Sequence, residues 1–283
     1  MAGTTYGILA GYDGSASSQQ ALSWAAREAL AGGTALTVCH AFGAGFSVPP
    51  GEDALFDLAR RSGERVILSG LRQAQHIMGT GEVRSLLLAG SPAAALCERS
   101  HDASMVVVGA RGLGGVAGLH LGSVSSQVAA HASGRVVVVR GHWRPAAGFV
   151  PGPIVVGANG SPPSGDALDF AFKEATLREA PVLAVCALAD APGSLGGADR
   201  RREQFEDAIG RWEKDHPEVA VLRRLSHGGA RDALLTAAHD AQLLVVGARG
   251  RGGIKGMTLG SVSLAALHHA PCPVGVARPA RPV

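Results

Sequence analysis

The stretch GARGLGGVAGLHLGSVS, residues 109–125, directly follows the apolar run at 105–108 and ends on Gly122-Ser123 and a short apolar-polar alternation. Five glycines, Gly109, Gly112, Gly114, Gly115 and Gly118, precede that close. Glycine is costly to order, so a packed domain carries this density only where backbone turns sharply or approaches something closely. The stretch also recurs. Residues 107–125 and 245–263 agree at fourteen of nineteen positions, at an offset of 138. A second echo joins ILAGYDGSASSQQALSWAAREA, from Ile8, to IVVGANGSPPSGDALDFAFKEA, from Ile154, at an offset of 146. The second copy is therefore eight residues shorter between these landmarks, a deficit expected in the divergent segments 41–56 and 188–202. A repeat of this length is a whole domain, not a solenoid unit. The reading is a duplication, with domains at 1–143 and 152–283 and a glycine- and proline-bearing linker at 141–152.

Bulk properties narrow the function classes. The 283 residues suit two domains, and 46% hydrophobic with 17% charged residues describes an ordinary globular interior. A net charge of +3 and 4% aromatic content argue against nucleic-acid binding, which needs a basic face and stacking platforms. No apolar run approaches a membrane span, and the N-terminus lacks the basic flank and apolar stretch of a secretory signal, so a cytoplasmic protein is expected. Cys39, Cys97, Cys186 and Cys272 lie far apart and read as buried apolar thiols of a reducing compartment. The eleven histidines show no metal-ligand spacing.

Within the first half, apolar periods alternate between strand and helix. Strands are expected at 8–12, 35–40, 83–88, 105–109 and 135–139. Helices are expected after Asp13-Gly14-Ser15, over roughly 52–77, from Pro92 behind a Ser91 cap, and over 123–131. The run at 105–109 is continuously apolar, as a strand buried on both faces should be. Strand–helix alternation predicts an α/β fold: two doubly wound, five-stranded parallel sheets in tandem.

In such sheets ligands sit beyond the carboxyl ends of the strands. The glycine stretch leaves one of those ends and opens a helix, whose free N–H groups and dipole favour phosphate. Consecutive amides there can form an anion nest, and the Ser123 hydroxyl can cap the helix or meet a phosphate oxygen. The plainer alternative is that the glycines serve only tight turns between packed elements. The stretch is not a P-loop, since Leu121-Gly122-Ser123 lacks the required lysine, and it follows a late strand, unlike the dinucleotide fingerprint.

The spacing Gly109-x2-Gly112-x9-Gly122-Ser123, repeated as Gly247-x2-Gly250-x9-Gly260-Ser261, resembles the G-2x-G-9x-G-[S/T] motif of the ATP-binding universal stress proteins. The resemblance extends to GYDGS at the first strand end and to Val38-Cys39-His40-Ala41 at the second, and it spans both halves. It implies a flavodoxin-like, or adenine nucleotide alpha hydrolase-like, fold with strand order 3-2-1-4-5. By the same resemblance Gly109, Gly112, Gly122 and Ser123, with the Val124 amide, hold phosphates and ribose. Asp13 holds the adenosine moiety, and the backbone of Ala41 meets the adenine edge. Asp13 also has a local reading, closing its own turn.

The second half carries Gly247, Gly250, Gly260, Ser261 and Val262, but Asn159 stands at the position of Asp13 and Leu188 is aligned with Ala41. An uncharged amide makes a weaker hydrogen bond and a larger side chain narrows the base slot, so a weaker second site is expected. Arg111 and Arg249 are matched and either neutralise phosphate or sit in solvent.

Three functions stay open on the residues alone. The first is a regulator that binds ATP, AMP or ADP and changes its contacts with a protein partner. The second is a slow ATP hydrolase, with Mg²⁺ undecided. The third is a ligand-free interaction module. His120 faces Thr258 in the second copy, which argues against a shared catalytic histidine. The resemblance further implies pairing of the halves through their last strands, at 136–139 and 274–276, as an intramolecular pseudo-dimer, and dimerisation of whole chains.

Overall fold

The computed structural model describes residues 5–43, 53–113, 120–140, 152–188, 197–250 and 258–279. The linker expected at 141–152, but for Gly152, lies outside these residues together with Gly114, Gly115 and Gly118. The chain divides into two compact units, one running to Val139 and the other Arg140–Pro279.

The first unit alternates β1 (Ile8–Gly11), α1 (Ala16–Ala31), β2 (Leu36–Phe42), α2 (Asp53–Met78), β3 (Val83–Ala89), α3 (Pro92–Arg99), β4 (Met105–Gly109), α4 (Ser123–His131) and β5 (Arg135–Val139). Its strands lie in the order β3-β2-β1-β4-β5, and the pairings are parallel. Central β1 is flanked by β2, through Ile8 opposite Leu36, and by β4, through Ile8 opposite Met105. Strand order reverses at β1, where a doubly wound sheet opens its ligand crevice. Leu9, Val106, Val107, Val136 and Val137 are fully buried, so consecutive residues are covered and helices close both faces.

Local chemistry explains the helix boundaries. Ser15 caps α1 by accepting from the Ser18 N–H at 3.2 Å. Ser91 caps α3, accepting from the Ala94 N–H at 3.5 Å, and Pro92 takes the first turn. Alanines at 21, 25, 26 and 29 let α1 lie close on the sheet. The approach is tightest at Gly109, where a Cβ would fall 2.6 Å from the Ser17 backbone.

The second unit repeats the plan with β6 (Ile154–Gly157), α5 (Pro162–Arg178), β7 (Val182–Ala187), α6 (Gly197–Asp215), β8 (Val221–Ser226), α7 (Ala230–Ala237), β9 (Leu243–Gly247), α8 (Ser261–His269) and β10 (Val274–Ala277). Its order β8-β7-β6-β9-β10 matches the first unit, again with parallel pairings. The eight-residue deficit falls mainly in a helix instead of in a connecting segment: α6 has 19 residues where α2 has 26. Among the described residues no helix is long and apolar enough to cross a membrane.

Candidate nucleotide-binding site

At the carboxyl ends of β1, β2 and β4 the first unit holds a cavity of about 810 Å³. That volume is within the range of small-molecule sites. Asp13, Ala41, Gly109, Arg111, Gly112, Gly122, Ser123 and Val124 all line it, so the structure brings together every residue singled out in this half. Tyr12, His40, Pro92 and Leu96 line it as well; the first three lie in stretches noted in the sequence but were not singled out as site residues. Their signal was positional: the first two sit at or just past the strand ends that flank the crevice. His40 Nδ1 meets the Tyr12 carbonyl at 2.8 Å, fixing the imidazole against the end of β1.

Asp13 closes its own turn, the local role expected of it, and also holds the glycine loop. Its Oδ1 accepts from the Ser15 N–H at 2.9 Å, closing the turn before α1. Its Oδ2 accepts from the Leu113 N–H at 3.0 Å, one hundred residues away. A Cβ on Gly112 would lie 2.6 Å from that same oxygen, so the loop rests directly on the carboxylate. Burial by itself would raise the Asp13 pKa. Hydrogen bonds from Ser15, Ser18 and Leu113 outweigh it and hold the carboxyl below its ordinary value of 3.8.

The glycine loop is not an open nest throughout. The Arg111 N–H donates to Ser17 Oγ at 3.2 Å and the Gly122 N–H to the Ala110 carbonyl at 2.7 Å. Gly122 lines the cavity as expected, but its amide closes the loop on itself. Gly109 likewise has a packing reason, the approach of α1, besides lining the cavity.

Free donors come instead from the start of α4. The N-cap is Gly122, which has no side chain with which to cap, so Ser123 is the first helical residue and not the cap. The opening N–H groups of a helix have no intrahelical acceptor. Here those of Ser123 and Val124 stand at the cavity wall with the Ser123 hydroxyl beside them. Buried Ser125 holds this geometry: its hydroxyl reaches the Ala110 carbonyl at 2.9 Å and the Gly122 carbonyl at 3.0 Å. The last serine of GSVS is thus a clamp between strand end and helix start, a role its repetition hinted at. His120 is exposed and does not line the cavity.

The second unit holds a cavity of about 480 Å³, lined by Asn159, Gly247, Arg249, Gly250, Gly260, Ser261 and Val262. Ser263 takes the place of Ser125, with its Oγ at the strand end, 2.8 Å from the Gly247 carbonyl and 3.2 Å from that of Ala248. The Gly260 N–H again closes on Ala248, at 2.8 Å. Asn159 Oδ1 accepts from the Ser161 N–H and hydroxyl, at 3.0 and 2.6 Å, so it repeats only the local half of Asp13's work. Among the described residues no atom comes within 4 Å of a Cβ on Gly250.

Leu188 is a correction. The Tyr12 N–H bonds the Cys39 carbonyl and the Ala158 N–H bonds that of Val185, which makes Ala187, not Leu188, the counterpart of Ala41. Ala187 lines the cavity, whereas Leu188 is buried outside it with its N–H on the Ser226 carbonyl. The base slot is therefore not narrowed at that position. Arg201, from α6, lines this cavity without having been anticipated. Among the described residues, no group of His, Cys, Asp and Glu side chains gathers as metal ligands would.

Comparison with known proteins agrees with this geometry. The family model for the universal stress protein family matches residues 7–140 and again 152–278. A universal stress protein of Mycolicibacterium smegmatis is 35% identical over 294 residues, covering 98% of each chain. One from Mycobacterium tuberculosis is 35% identical over 308 residues, covering 97% of this chain and 96% of its own. Among solved structures, a universal stress protein from Archaeoglobus fulgidus superposes with a TM-score of 0.75 at 20% identity, covering 96% of this chain and 98% of that one. With two matched copies, each an α/β unit with strand order 3-2-1-4-5 and a cavity beneath its glycine loop, the chain belongs to the universal stress protein family.

Proposed function

We propose that the protein binds adenine nucleotide, with ATP in the first unit, and acts as a nucleotide-dependent regulator through contacts with a protein partner. The observation that carries this reading is the uncapped start of α4. It leaves the Ser123 and Val124 amides and the Ser123 hydroxyl at the wall of an 810 Å³ cavity, with Asp13 beside them. Those groups suit phosphate oxygens, and Arg111 adds positive charge at the same wall. Asp13 suits ribose hydroxyls, which donate to a carboxylate, and the end of β2 at Ala41 suits the base edge. A phosphoryl-transfer enzyme needs a positioned base; His120 is not at the cavity, and His40, which lines it, is tied through Nδ1 to the Tyr12 carbonyl and has Cys186 in its place in the second unit.

The ligand-free module draws support from one observation: the Arg111 and Leu113 amides already bond to their own chain. Chromatography of small molecules released by heat or acid from the purified protein separates the readings. Regulation by nucleotide expects ATP or AMP, hydrolysis expects mostly ADP after incubation with Mg²⁺ and ATP, and a packing module expects no nucleotide and no binding in calorimetry. Asp13→Ala should weaken ATP binding about tenfold, the loss of one charge-assisted hydrogen bond, and more than Asn159→Ala does. The opposite order would overturn the assignment of the first site.

A further inference from the structure

The two cavities differ most in their charge. Among the described lining residues the first holds one carboxylate and one guanidinium, Asp13 and Arg111. The second holds two guanidiniums, Arg201 and Arg249, and no carboxylate. Arg201 is specific to this half. At the offset that aligns buried Ile67 with buried Phe205, its counterpart is Gly63, where even a Cβ would lie 3.2 Å from the His40 ring. The first unit thus closes with glycine and histidine the place where the second inserts a cation. His40 itself is matched by Cys186.

The two arginines enter from opposite flanks of the central strand. Arg249 follows β9 and Arg201 lies on the helix that follows β7, with β6 between them. α6 also crosses the turn that carries Asn159: Gln204, one helical turn after Arg201, packs on Gly160. On the nucleotide reading, on which this inference rests, the α8 end takes the 5′-phosphate and the β7 side takes ribose and base. Arg201 is then the cation on the ribose side.

A carboxylate beside a ribose accepts from its free hydroxyls and repels a phosphate placed there, while an arginine accommodates one; dinucleotide-binding folds discriminate 2′-phosphorylated ribose in this way. The first unit presents Asp13 and no such arginine. The second presents Asn159, which carries no charge to repel, together with Arg201. We propose that the second unit is selective for an adenine nucleotide that carries a phosphate on its ribose as well as at the 5′ position. The first unit takes nucleotides with free ribose hydroxyls. Asn159 is then part of a change in specificity and not simply a weakened copy of Asp13.

Calorimetric titration of the full chain with AMP and with adenosine 2′,5′- and 3′,5′-bisphosphates tests this. One of the bisphosphates should fill one site per chain at least tenfold more tightly than AMP. Arg201→Met should abolish that gain, so that the bisphosphate binds no more tightly than AMP does to the same variant, Arg201→Lys should keep part of it, and Asn159→Asp should reduce it. A matching thermal melt checks that each variant is folded. Bisphosphates binding no better than AMP, or a gain that survives in Arg201→Met, overturns the inference while the nucleotide reading stands. If AMP, ATP and the bisphosphates all fail to bind the intact chain, both fall.

Discussion

Asp13 joins two segments through one carboxylate, its own turn by the Ser15 N–H and the glycine loop by the Leu113 N–H, while its backbone N–H donates to Ser18 Oγ. Its folded-state pKa is lowered, so the stability it contributes is complete above 3.8 and is lost as pH falls through the lower folded-state value. Acid unfolding of the wild type against Asp13→Asn should therefore show a stability difference at neutral pH that closes below about pH 4. A difference that persists unchanged into acid would show that charge plays no part. Ser125 makes a second residue-scale prediction. Ser125→Ala removes one of the two hydrogen bonds on the buried Ala110 carbonyl, leaving that from the Gly122 N–H, and should cost about 0.5–1.5 kcal/mol in chemical denaturation. Ser263→Ala should do the same in the second unit, where it takes the place of Ser125 on the Ala248 carbonyl. The presence of Asp13 and the serines at the site was legible in the sequence, because turn and loop motifs mark them. That Asp13 also holds the loop was not, since the bond spans one hundred residues and only packing reveals it.

At the scale of elements, glycine has two distinct uses that a sequence does not tell apart. Gly109 stands where α1 presses on the end of β4, and Gly109→Ala should destabilise the first unit by about 1–3 kcal/mol, the cost of forcing atoms into a packed contact. Gly210 lies within α6 with nothing within 4 Å of a Cβ, so Gly210→Ala should raise stability by about 0.5–1 kcal/mol through helix propensity. Thermal melts of the two variants check both signs. The helices and strands themselves were readable from periodicity and caps: α4 and β5 begin and end where the pattern places them, and β2 runs two residues further. The missing eight residues were placed in a divergent connecting segment, but most come from the shorter α6. An amphipathic helix can lose two turns at its start without altering the pattern that identifies it.

On the scale of the whole chain, duplication gives two cavities that need not share a ligand. Two binding events of unequal affinity should appear in titration with ATP, and Asp13→Ala should remove about tenfold from one of them while sparing the other. A single event abolished by Asp13→Ala would mean that only the first cavity binds ATP. The sequence by itself determined the duplication, the alternation of strand and helix, the order 3-2-1-4-5 through the family motif, and the residues gathered at the first crevice. The first two follow from local regularities, namely internal repetition, periodicity and caps, which survive in a linear text; the strand order and the site residues are what the family resemblance implies. Only the tertiary structure decided which amides the loop consumes internally, that Ala187 and not Leu188 lies at the second crevice, and that Arg201 enters it. Each of these depends on strand register or on a helix crossing a distant turn, and such contacts are made by folding, between residues far apart along the chain.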